Sequence, residues 1–114
     1  MSNISRARAI TLVPFNMATL DPAAWTLLTP ALEEACFLVR FTNTSTTAGA
    51  LVYISYDGID ANDVVLNDGY IDLYFQDNAS YSQKTNNLAK GTPIYVRGAA
   101  NVGIFILSGY TYAD

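Results

Sequence analysis

What most constrains this chain is how often it turns. Asp57-Gly58, Asn67-Asp68-Gly69, Lys90-Gly91 and the run Gly98 to Asn101 break it at short intervals. Each contains a glycine, which tolerates left-handed dihedrals, and the first two add Asp or Asn, whose side chains bond nearby backbone. Between the breaks, apolar and polar residues alternate with the period of a strand. Cys36 to Thr42 sets Phe37, Val39 and Phe41 on one face, with Cys36, Leu38 and Arg40 on the other. The polar run Asn43 to Gly49 then returns the chain, so that Leu51 to Tyr56 is expected to pair back on that strand. In Tyr70 to Phe75, Ile71, Leu73 and Phe75 point inward and Tyr70, Asp72 and Tyr74 outward. Gln76 to Asn87 reads as a long loop, followed by Pro93 to Arg97 and Gly103 to Tyr112 as strands. No crossover helix fits between these segments, which rules out parallel α/β architecture. The pattern predicts an all-β fold: an antiparallel β-sandwich, jelly-roll-like or Ig-like, or a small barrel.

The first third is less regular. Arg8 to Val13 reads as a short edge strand stopped by Pro14, since proline cannot donate to a ladder. Asp21-Pro22 begins like a helix, with proline at the first helical position, and fits one or two turns or a looped strand. Trp25 is expected in the core. The 114 residues have room for one core. Within that single domain, residues 1–34 read as an extended N-terminal arm with an irregular segment, and 35–114 as the sandwich.

Composition narrows the chemistry. There is no histidine, which excludes Ser-His-Asp and Cys-His nucleophile pairs and imidazole metal sites. The single cysteine, Cys36, cannot form an internal disulfide and reads as core. A net charge of −4 argues against nucleic acid as partner, which demands a basic face. No apolar run approaches the roughly 20 residues a spanning helix needs. Arg6 and Arg8 precede a run broken by Pro14 and Asn16, without a small-residue cleavage site, so no signal peptide is expected. The sequons at Asn3, Asn43 and Asn78 therefore carry no weight. Adjacent Glu33 and Glu34 would point to opposite faces of a strand and cannot act as an acid–base pair. No cofactor and no catalytic residue is expected.

Two constellations remain. Asp57, Asp60, Asp63 and Asp68 make the middle third acidic, with no Lys or Arg between Arg40 and Lys84. Turn chemistry accounts for them, a calcium loop being the alternative, although the spacing is not that of an EF-hand. The second is an excess of tyrosine, eight in all, while charged residues are only 14%. Aromatic rings with a polar handle suit protein interfaces, which are poor in Lys, Glu and Asp. The candidate partner-contact residues are Arg6, Arg8, Tyr53, Tyr70, Tyr74, Tyr95 and Arg97. The same tyrosines could instead hold a sugar, which is the competing expectation.

Val52-Tyr-Ile-Ser-Tyr-Asp-Gly, Asn62-Asp-Val-Val-Leu, Leu88-Ala-Lys-Gly-Thr-Pro-Ile-Tyr-Val-Arg-Gly and the closing Ile-Leu-Ser-Gly-Tyr resemble small β-sandwich virion proteins of tailed bacteriophages. The likeness covers about the last two thirds of the chain and not Met1 to Leu32. It rests on turns and strands, and implies no catalytic residue. It implies a non-enzymatic particle component made in the bacterial host cytoplasm. That component would be a capsid decoration (cement) protein or a neck, collar or tail subunit. The implied partners are other virion proteins and copies of itself, a trimer suiting quasi-threefold positions on a shell.

Overall fold

The computed structural model describes residues 6–28, 32–74 and 88–113. In chain order the strands are β1 (Arg6–Ala9), β2 (Val13–Asn16), β3 (Thr26–Leu27), β4 (Leu38–Asn43), β5 (Val52–Ser55), β6 (Asp63–Val65), β7 (Gly69–Tyr74), β8 (Tyr95–Arg97) and β9 (Ile104–Ala113). They form two packed antiparallel sheets and no closed barrel. One sheet runs β1-β9-β4-β7, with β2 also paired to β9, and the other runs β3-β8-β5-β6. With β1 set aside, the orders are β2-β9-β4-β7 and β3-β8-β5-β6, and after β2 every link except the β5–β6 hairpin changes sheet. That is jelly-roll connectivity, and the Ig-like alternative falls away.

The core lies between the sheets. Val39 and Phe41 of β4 and Phe105 and Leu107 of β9 face Val52 and Ile54 of β5, Val65 of β6 and Val96 of β8, all wholly buried. Phe41 and Phe105 stack at 5.8 Å with an interplanar angle of 12°. Fully burying one such side chain stabilises by about 1.5–3 kcal/mol.

Three expectations are corrected. Residues 51–56 do not pair back on β4. Instead β5 crosses to the opposite sheet and pairs with β6 and β8. The buried Asn43 amide holds the crossing, donating to the carbonyls of Ala50 (2.7 Å) and Val65 (3.3 Å) and accepting from the Ser45 amide (3.0 Å). The strand phase also breaks before Leu38: Cys36 is wholly buried and Phe37 half-buried. The cause is a detached bridge in which Cys36 exchanges backbone bonds with Leu88 (2.9 and 2.8 Å).

The third correction concerns the arm. β1 and β2 both pair with β9, and Ile10, Val13, Met17, Leu20 and Leu28 all belong to the core. The boundary at residue 34 therefore disappears. No helix starts at Asp21, whose carboxylate closes a turn by accepting from the Ala23 amide (2.8 Å). A 3-10 turn occupies Met17–Thr19 instead. The readings of Phe75 and of the loop 76–87 fall outside the described residues.

Candidate interaction surfaces

The outer face of the four-stranded sheet is built around β8. Arg97 lies opposite Tyr53, and Tyr53 lies opposite Val64. Cross-strand partners share a face, so these three form a row. Trp25, just before β3, completes it, with the Arg97 guanidinium 4.3 Å from its ring centroid. The neighbouring row is Leu27, Tyr95 and Ser55. Leu27, Tyr53 and Val64 are 44%, 37% and 38% exposed. Trp25 is half-buried, a surface ring under an arginine rather than the core residue expected. Tyr95 is also half-buried, because the Asp57-Gly58 turn folds over its ring. Gly58 has φ +74°, and a Cβ there would sit 3.3 Å from that ring, so a side chain at this position would be strained.

The five-stranded sheet presents a different outer face. Its rows are Tyr74–Leu38–Tyr110, Asp72–Arg40–Ser108 and Tyr70–Thr42–Ile106. Arg40 meets Asp72 with both ends of its fork, Nε to Oδ1 at 2.7 Å and Nη2 to Oδ2 at 3.0 Å. Its guanidinium also lies 4.1 Å from the Tyr70 ring centroid. The Arg40 hydrogen bonds hold the Asp72 carboxyl below the usual carboxylate range. Tyr70, Tyr74 and Tyr110 are 58%, 57% and 43% exposed. Leu38, Arg40, Ser108, Gly109 and Tyr110 line a small hollow beside the ion pair.

The expected contact residues are thus divided among three places. Tyr53, Tyr95 and Arg97 share the four-stranded face, and Tyr70 and Tyr74 the five-stranded one. Arg6 and Arg8 lie on β1, where Arg6 is opposite Ala113 and Arg8 opposite Thr111. Arg8 is paired with Glu34 at 3.4 Å, and Glu33 accepts from the Thr11 amide at 2.9 Å. These contacts fasten the N-terminal strand to its own domain. Sequence reasoning missed Trp25 on the four-stranded face and the grouping of Arg40, Asp72, Ser108 and Tyr110 on the five-stranded one. Alternation already placed Asp72 outward and Arg40 on the face opposite Val39 and Phe41, but only the β4–β7 register makes them neighbours.

Within the acidic stretch, the Asp57 carboxylate is engaged in a turn. Asp57 accepts from the amides of Ile59 (2.8 Å) and Asp60 (3.0 Å) and from the Ser55 hydroxyl (2.8 Å). Those bonds, the backbone ones first, lower its pKa. Asp63 accepts from the Tyr56 hydroxyl at 3.0 Å, while burial and the Asp63 charge push the Tyr56 phenol up. Among the described residues no group of three acidic or cysteine side chains is arranged to hold a metal. Burial, followed by the charges of Glu34 and Glu33, raises the Cys36 thiol to about 11, which keeps it protonated near neutrality. No family model, curated protein or solved structure matches this chain.

Proposed function

We propose that this protein is a non-enzymatic structural component of a tailed-bacteriophage particle, a decoration protein that binds the head through protein–protein contacts. The observation that carries this reading is the Trp25–Arg97–Tyr53 row on the outer face of the four-stranded sheet. Interface hot spots are enriched in these three residue types, set in apolar surroundings. Here they are flanked by exposed Leu27 and Val64 and contain no Lys or Glu. They stand on a rigid floor, because Val96 and Ile54 beneath them are wholly buried. The sequence resemblance points the same way. So does the jelly roll, which viral capsid and lectin domains share, although that is analogy at the level of fold. Repeated on a lattice, such a contact would stabilise the assembled shell by mass action.

The test uses purified chain and empty heads from the same source. Light scattering gives the free oligomer, and densitometry of washed particles gives copies per head. Saturable binding at many copies is expected, falling about tenfold in affinity, a change of ~1.4 kcal/mol, for Arg97→Ala. Heads left bare at saturating protein would overturn the decoration reading.

A further inference from the structure

We propose that the hollow on the outer face of the five-stranded sheet is a subsite for one uncharged sugar ring. A sugar ring has an apolar C–H face and a rim of hydroxyls, so its subsite needs apolar surface beside short polar groups. The hollow supplies both. Leu38, Gly109 and the exposed Tyr110 line it together with Ser108, which carries a hydroxyl, and Arg40, which carries a guanidinium. It holds about 170 Å³, room for one ring rather than for a drug-sized ligand. Tyr74, opposite Leu38, offers a second exposed ring to the next unit of a longer glycan.

Charge selects among ligands. The Asp72 contact uses Nε and Nη2 of Arg40, which leaves Nη1 outside that pair as a donor. Asp72 lies across Arg40 from Ser108 and does not line the hollow, but its contact offsets the guanidinium charge, so the hollow offers an anion no unpaired cation and a cation no carboxylate. A neutral, hydroxyl-rich ring can accept from Arg40 without facing an unpaired charge. The bidentate geometry and the Tyr70 contact hold Arg40 in place before any ligand arrives, which limits the ordering cost of binding. This inference does not rest on the particle reading and is tested on the free chain.

The experiment is an amide-resolved NMR titration with methyl glycosides of glucose, galactose, mannose and N-acetylglucosamine. Glucosamine and sialic acid serve as cationic and anionic comparators. Saturable shifts are expected at the amides of Leu38, Arg40, Ser108, Gly109 and Tyr110 with at least one neutral glycoside. Tyr110→Ala and Ser108→Ala should each weaken binding about tenfold, while Arg97→Ala on the opposite face leaves it unchanged. Ser108→Ala keeps the test open should Tyr110→Ala disturb the fold. The absence of saturable shifts with every neutral glycoside would overturn the proposal. So would shifts that map to the four-stranded face, shifts that survive both variants, or tighter binding of either charged comparator.

Discussion

The two outer faces use similar residues to different ends. Each sets an arginine among aromatic rings in the middle of a sheet. On the five-stranded face, the residue opposite Arg40 is Asp72, and the guanidinium is held by a carboxylate. On the four-stranded face, Arg97 lies opposite Tyr53 and stacks on Trp25, and no carboxylate among the described residues comes within ion-pair distance. The first face is electrically closed around a polar centre. The second combines one positive charge with apolar surface. The neighbour that the register supplies decides what an arginine does. This is the physical reason to assign the two faces different ligands.

The largest effect should come from breaking what both faces share. Deleting residues 1–14 removes Ile10 and Val13 from the core, along with β1 and the first half of β2. The cooperative unfolding transition should be lost, as read by circular dichroism in urea. A truncated chain that still unfolded in one sharp transition would restore the idea of a detachable arm. Phe41→Ala should cost about 3–5 kcal/mol, because its ring is wholly buried against Phe105. Signals from both faces should disappear at the same urea midpoint, and separate midpoints would mean that the sheets do not share one core.

A smaller effect is expected at the polar knot between the sheets. Asn43→Ala leaves the carbonyls of Ala50 and Val65 and the Ser45 amide without their partner, at a cost of about 1–3 kcal/mol. A change within error would mean that water replaces the amide.

The smallest effect belongs to the ion pair that distinguishes the faces. Because Asp72 titrates below its ordinary value, its contribution is present above the unfolded carboxylate pKa of about 3.9. It is lost as pH falls through the depressed folded value. An exposed pair of this kind is worth about 0.2–1 kcal/mol. Asp72→Asn should therefore lower Tm slightly at pH 7 and converge with the parent in strong acid. A gap that persists there would place its origin outside the pair.

Parts of this arrangement were legible in the sequence. The alternation of residues 38–42 and 70–74 gave the correct faces of β4 and β7, and the Asp57-Gly58 and Asn67-Asp68-Gly69 turns fell where expected. Those signals are local. The sheet change at β5 depends on Asn43 reaching Val65, 22 residues away, which no short pattern encodes. Arg40 and Asp72 are 32 residues apart and meet only through the register. Trp25 was misplaced because it precedes a strand of two residues, too short to show a period. The N-terminal strands were read as an arm because Pro14 interrupts them, although proline is at home in the edge strand β2 becomes.

We propose that the four-stranded face, and not the five-stranded one, attaches this protein to a phage head. The most direct measurement compares occupancy on empty heads for the parent chain, Arg97→Ala and Arg40→Ala, with each variant shown to be folded. Arg97→Ala is expected to lose about tenfold in affinity while Arg40→Ala binds like the parent. Equal occupancy for Arg97→Ala, or depletion for Arg40→Ala alone, would contradict it.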